Sequence, residues 1–185
     1  MRRGPVLGLV PLGPVDPEIL RYLVKALAEF LPLSVRLLPP KHLPMQTYHV
    51  GREQNHATQL LEYLLNDANP EPLQILGITA ADLYIPIFTF VFGEAQLDGR
   101  AAIISTFRPG GGADGFQPLR RVYLGRLLKL SLHELGHSFG LGHCHQPGCL
   151  MGFSANLEKL DQKTATFCQY CQVLLNDYFD RFNET

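Results

Sequence analysis

Apolar residues recur along this chain with two different periods, and the switches between them mark out its elements. Val6 to Leu12 is a short, nearly continuous apolar run, the pattern of a buried strand. Asp16 then offers an N-cap with Pro17 at the first helical position, and Ile19, Leu20, Leu23, Ala26, Leu27 and Phe30 follow at helical spacing until Pro32. Leu33 to Leu38 alternates apolar with polar, as a strand wetted on one side does, so the chain opens as β-α-β. Residues 39–55 hold three prolines among polar groups and read as a loop. His56 to Ala68 reads as a helix with Leu60, Leu61, Leu64 and Leu65 on one face, and Leu73 to Ile78 as a buried strand. Phe88 to Ala95 and Ala101 to Phe107 are the arms of a hairpin turned at Asp98-Gly99, with the first arm antiparallel.

Arg108 to Gly115 reads RPGGGADG, which lacks the GxGxxG and GxxxxGK spacings of phosphate loops and is expected to be a mobile flap. Pro118 to Phe139 predicts a long helix carrying Leu124, Leu127, Leu128, Leu130 and Leu135 between basic residues. A closing helix is expected from Asp161, as its N-cap, through Phe182, packing Val173, Leu174, Phe179 and Phe182. No repeat or linker interrupts the 185 residues, so one domain is expected. Within it, residues 1–139 hold the sheet and helices, and residues 140–185 form a smaller carboxy-terminal part. The class is α/β (α+β).

Charge narrows the list of partners. Sixteen basic and 17 acidic residues leave a net charge of −1 with no like-charge run, which argues against nucleic acid and anionic membranes. The start MRRGPVLGLVPLGP is basic and then apolar, but Pro5, Pro11 and Pro14 break it and no small-residue cleavage site follows, unlike a secretion signal. Leu73 to Gly93 is cut by Thr79, Asp82 and Pro86 and does not read as a membrane span.

The chemistry concentrates in residues 133–151, HELGHSFGLGHCHQPGCLM. His133 and His137 stand four apart, so one helical face aims both imidazoles at one point. Glu134 lies at the flank of that face, where it can take a proton from an attacking water without occupying the metal. His143 must arrive from another side, and Gly140 permits the turn because it can adopt the positive φ that ends a helix. Three neutral imidazoles leave one position of a tetrahedral zinc open, the arrangement of a catalytic site. The full pattern, H-E-x-x-H-x-x-G-x-x-H, is the signature of metzincin zinc peptidases. Met151 resembles the Met-turn beneath the zinc of that clan. Phe153 occupies the position where some of its families place a tyrosine ligand, and phenylalanine cannot ligate.

All four cysteines fall late in the chain, as Cys144-x4-Cys149 and Cys168-x2-Cys171. Two such knuckles suit a closed, structural zinc with four thiolates; two disulfides are the alternative. Cys144 directly follows His143, so loss of the second metal is expected to loosen the first. His42, His49, His56 and His145 belong to no motif.

With His133, Glu134, His137, Gly140, His143, Cys144, Cys149, Met151, Cys168 and Cys171 in register, the chain resembles the archaemetzincins, marked by HExxHxxGxxHC, then x4-C-x-M, then CxxC. The resemblance implies a metzincin-like mixed, twisted sheet flanked by helices, with an antiparallel edge strand above the cleft and a small carboxy-terminal helical part pinned by zinc. It implies two zinc ions per chain, one catalytic and one structural, and a peptide or protein substrate paired to the edge strand, for which Phe88 to Ala95 is the candidate. The expected activity is peptide-bond hydrolysis with Glu134 as general base. The alternative is a non-catalytic or tightly regulated zinc-dependent peptide-binding module. A monomer in a reducing cytoplasm completes the expectation.

Overall fold

A computed structural model describes residues 6–66, 74–112 and 114–181. Strand β1 (Val6–Leu12) is buried along its whole length, as a strand with helices on both faces must be. Helix α1 (Pro17–Phe30) starts where Asp16 accepts a hydrogen bond from the Glu18 amide, and buries Ile19, Leu20, Leu23, Ala26 and Leu27. Phe30, by contrast, is exposed. Strand β2 (Ser34–Leu37) returns parallel to β1.

Residues 39–55 are more ordered than the expected loop. They contain a 3₁₀ turn (Met45–Thr47) and the strands β3 (Tyr48–His49) and β4 (Gln54–His56), which form a small sheet with β6 (Leu83–Tyr84). Elements of two or three residues leave no periodicity to read. Helix α2 (Ala57–Leu65) buries Leu60, Leu61 and Leu64 and ends at its C-cap Asn66; residues 67 and 68 of the expected helix, and Leu73, lie outside the described residues.

The main sheet runs β2-β1-β5-β8-β7, with β5 (Gln74–Thr79) and β8 (Ala101–Ser105) parallel to β1 and β7 (Gly93–Ala95) antiparallel at the edge. Helices α1 and α3 (Arg120–Ser138) pack in one apolar cluster, and α2 packs in a second cluster on the other face of the sheet. Among the described residues, no helix is long and apolar enough to cross a membrane.

The strand expected over Phe88–Ala95 is real only for its last three residues. Upstream, side chains capture the main chain. Arg52 Nη2 donates to the carbonyls of Phe88 at 2.8 Å and Thr89 at 3.0 Å, and Gln54 Nε2 also reaches Thr89 O at 3.0 Å. Asp82, tied to Gln54, accepts a bidentate pair from Arg108, whose guanidinium lies 3.9 Å from the Phe90 ring centroid. The same contacts anchor the start of the glycine-rich segment. Arg108–Gly110 forms a 3₁₀ turn over buried Pro109, and Arg126 Nη1 donates to Pro109 O at 3.0 Å. The first half of the expected flap is therefore pinned.

The closing helix is also divided. Asp161 ends a short helix α4 (Leu157–Asp161), which is capped by Asn156, instead of starting a long one, and its carboxylate pairs with Arg126 on α3. Helix α5 (Gln169–Asp180) begins after Cys168 and buries Cys171, Leu175 and Phe179; Val173 and Leu174 face outward, and Phe182 lies outside the described residues.

Helix α3 stops at Phe139, with Gly140 at φ +89°. The Gly140 amide donates to His137 O and the Leu141 amide to Gly136 O, both at 2.9 Å, the paired bonds of a Schellman cap. The hairpin turn closes the same end, as the Asp98 and Gly99 amides donate to the carbonyls of His137 and Ser138. Gly140→Ala should therefore cost about 1–2 kcal/mol through left-handed strain. Gly125→Ala, at a helical position of α3 with open space for a Cβ, should gain about 0.5–1 kcal/mol. Urea midpoints of the two variants should move in opposite directions; a shared direction would contradict this account of the helix end.

Candidate metal centre and cleft

His133 and His137 project from one face of α3 with their Nε2 atoms 3.1 Å apart. A tetrahedral zinc with Zn–N near 2.0–2.1 Å needs about 3.3 Å between two ligand nitrogens, so the pair is spaced for one ion. Both rings are oriented from behind. His133 Nδ1 lies 2.8 Å from Leu150 O and His137 Nδ1 lies 2.7 Å from Leu141 O; a carbonyl only accepts, so the proton sits on Nδ1 and leaves Nε2 a free lone pair. His143 completes the set after the turn at Gly140, its ring centroid 4.8 Å from that of His137 and 5.4 Å from that of His133. The three potential ligand atoms all lie within 4.8 Å of one another.

Burial holds all three imidazoles below their ordinary value, His133 down to about 3. They are therefore neutral in the physiological range, the form a cation requires. Glu134 is buried beside them. Desolvation, and then the nearby Glu94 carboxylate, raise it to about 8. A cation held by the three rings would reverse that tendency through its charge.

Met151 is fully buried under α3, and a Cβ on Gly136 would lie 2.5 Å from its sulfur. Gly136 thus lets the loop approach the helix between the two histidine turns. Phe153 packs edge-on to His143, at 5.5 Å between ring centroids, and is 60% exposed at the mouth of the cleft.

The four cysteines also converge. Cys144 Sγ lies 3.7 Å from Cys168 Sγ, and Cys149 Sγ lies 3.7 Å from Cys171 Sγ. A tetrahedral zinc–thiolate site requires about 3.8 Å between sulfurs, and a disulfide about 2.0 Å, so the cluster has the dimensions of an ion site and the cysteines are free. Burial holds the Cys149 and Cys171 thiols above their ordinary range, so charge on these sulfurs needs a cation among them. Lys163 Nζ donates to Gly152 O beside this cluster. Among the described residues these are the two clusters of potential metal ligands, and His42, His49, His56 and His145 join neither.

A cavity of about 460 Å³ spans the three histidines and Glu134, walled by Phe90, Phe92, Leu130, Leu160 and Phe153. Two of its features were not anticipated. Glu94 lines it, with both carboxylate oxygens accepting from Thr58 Oγ1 at 2.9 and 3.1 Å. Gly93 also lines it, and a Cβ there would stand 2.8 Å from Glu134 Cγ and 3.0 Å from its Oε1. The signal available for Gly93, a glycine inside a strand pattern, points to close approach without saying of what.

Strand β7 borders the cleft and, among the described residues, pairs along one edge alone. The bonds from Ser105 N to Phe92 O and from Gln96 N to Ala101 O flank the pair Glu94↔Ile103. In an antiparallel ladder hydrogen-bonded pairs alternate, so Glu94 faces β8 with its main-chain groups, and those of Gly93 and Ala95 point to the open edge.

Known proteins share this fold. The chain is 36% identical over 167 residues to the archaemetzincin of Methanocaldococcus jannaschii, covering 90% of each chain. It superposes on the crystal structure of the archaemetzincin of Methanopyrus kandleri with a TM-score of 0.85 at 35% identity, covering 97% of both chains. The structure of a zinc-dependent peptidase from Methanocorpusculum labreanum superposes with a TM-score of 0.81 at 30% identity, covering 92% of this chain and all of that one. The family model of peptidase family M54 matches residues 24–177, and the chain belongs to that family.

Proposed function

We propose that this protein is a zinc-dependent metallopeptidase of the metzincin type that hydrolyses peptide bonds, with His133, His137 and His143 holding the catalytic zinc and Glu134 as general base. A second, structural zinc is held by Cys144, Cys149, Cys168 and Cys171. The observation that carries this reading is the buried Glu134 carboxyl beside three neutral imidazoles, two of which have their Nε2 lone pairs freed by carbonyls behind them and all of which converge on one point. Zinc bound there supplies a Lewis acid that polarises the peptide carbonyl and acidifies water.

The chain's own groups supply the rest. An extended peptide adds to β7 as an antiparallel strand, bonded by the outward main-chain groups of Gly93 and Ala95, which lays its carbonyls across the histidines. Glu134 accepts a proton as a water oxygen bonds to the scissile carbon, then returns it to the nitrogen as the C–N bond breaks. Glu134 is buried in a cavity lined by Phe90 and Phe92, which sharpens its response to charge in the site.

Peptide and unfolded protein segments are the proposed substrates, with the protein acting as a monomer in the cytoplasm. The test is a digest of a peptide library by zinc-loaded protein, with a chelator control. Glu134→Gln should retain zinc and lose turnover by about 10²–10⁴-fold. Turnover that survives the change would overturn the role of Glu134. Zinc bound with no peptide cleaved would instead make the chain a peptide-binding module.

Burial of Glu134 also sets a pH dependence in the metal-free protein. A carboxyl raised from 4.5 to about 8 on folding contributes stability that is fully present below 4.5 and is lost as pH climbs through about 8. His133, depressed to about 3, acts in the opposite direction, its contribution being lost as pH falls from 6.5 toward that value. Glu134→Gln removes only the first effect. In chelator-treated protein, urea midpoints of this variant should therefore lack the decline that Glu134 imposes on wild type between pH 4.5 and 8. Parallel profiles would contradict the assignment.

A further inference from the structure

Gly93 lies in a short edge strand, where a glycine forfeits β-propensity and side-chain packing and so calls for a reason. Its reason is not backbone conformation, since it is absent from the residues with positive φ. The reason is space. A Cβ at this position would meet Ile103 O at 2.5 Å, Glu134 Cγ at 2.8 Å and Glu134 Oε1 at 3.0 Å, all closer than ordinary Cβ contacts.

We propose that Gly93 is the positioning residue of Glu134: the side chain missing from the edge strand leaves the slot in which the Glu134 side chain is seated. This rests on the reading of Glu134 as general base and adds how that base is aimed. Glu134 leaves α3 one residue after His133, and nothing in the helix alone decides whether its flexible side chain swings toward the cleft or away. The wall it meets is β7, at the residue whose main-chain groups face the substrate edge. One strand therefore sets both the register of the peptide and the seat of the carboxylate. Their separation is fixed inside a single element, without summing the errors of two. The neighbouring Glu94 is held apart on the α2 side of β7 by Thr58, so its carboxylate does not compete for the slot.

The competing explanation is that Gly93 merely clears the Ile103 carbonyl of the adjacent strand. A double-mutant cycle with Gly93→Ala and Glu134→Ala separates the two, because Glu134→Ala removes one obstacle and leaves the other. Unfolding midpoints are read on metal-free protein, so this arm depends on neither zinc nor turnover. Gly93→Ala should lower the midpoint in the wild-type background and much less in the E134A background. If Gly93→Ala alone fails to fold while the double variant folds, the proposal is likewise supported. An equal loss in both backgrounds, or failure of both to fold, assigns the glycine to Ile103 and overturns it.

The second arm is kinetic, on zinc-loaded protein with a peptide cleaved in the library digest. Gly93→Ala should lower kcat by at least about tenfold while KM stays within about threefold, as a misplaced catalytic group would cause. A raised KM with unchanged kcat would mean that Gly93 serves substrate pairing alone, and would overturn the proposal. Were Glu134 not the base, Glu134→Gln would keep its turnover while the unfolding cycle still reported the contact, so the two failures are distinct.

Discussion

Everything at the site depends on how the chain reverses direction after α3. His133 and His137 are placed by the helix, but the third imidazole must come back from the other side within six residues of His137. The Schellman cap at Gly140 makes the reversal, and two further bonds hold the segment beyond it: Cys144 N to Met151 O at 3.0 Å, and His133 Nδ1 to Leu150 O at 2.8 Å. The first closes residues 144–151 into a loop, and the second ties that loop to a ligand of the helix. Met151 fills the space beneath, against the helix at Gly136. The loop that orients His133 is thus the one that carries Cys144 and Cys149, so the two ligand sets are parts of one hydrogen-bonded structure.

Electrostatics fits that architecture. Desolvation acts in opposite directions on the two kinds of group at the cleft, keeping the imidazoles unprotonated and Glu134 protonated until positive charge arrives. Ligands and base are both held neutral without the ion, so neither the imidazoles nor Glu134 brings a buried charge to be compensated. At the cysteine cluster burial holds the Cys149 and Cys171 thiols up, a backbone hydrogen bond from Cys171 brings Cys168 down to about 7, and the pairs Cys144–Cys168 and Cys149–Cys171 stand near the edge length of a zinc–thiolate tetrahedron. Packing around α3 supplies the rigidity both sites need: Lys129 Nζ, buried, donates to Leu160 O at 2.6 Å and Lys163 O at 3.1 Å, and fastens the α4 segment to the active helix.

The long elements and the ligand spacing were legible in the sequence because each rests on a local rule. Asp16 caps α1, helical spacing gives its buried face, and His133, His137, Gly140 and His143 follow from the geometry of one helix and its end. The features that escaped depend on partners distant in the chain. Phe88–Phe92 has the composition of a strand, but Arg52 and Gln54 take its carbonyls from 35 or more residues away, and no pattern within the segment records that. Asp161 looks like an N-cap, but it pairs with Arg126 at the end of α4. The seats of the histidines are main-chain carbonyls at Leu150 and Leu141, invisible to side-chain motifs, and Gly93 matters through the space it leaves empty.

The coupling of the two ligand sets is tested most directly by Cys168→Ala, since Cys168 stands at the start of α5, far along the chain from His143, and belongs to the four-cysteine cluster alone. The measurement is the zinc affinity of the three-histidine site by competition with a chromophoric chelator, taken with the melting temperature of the zinc-loaded protein. Both should fall together. An unchanged melting temperature, with zinc retained at the histidines at wild-type affinity, would show the two sites to be independent and would contradict the coupling.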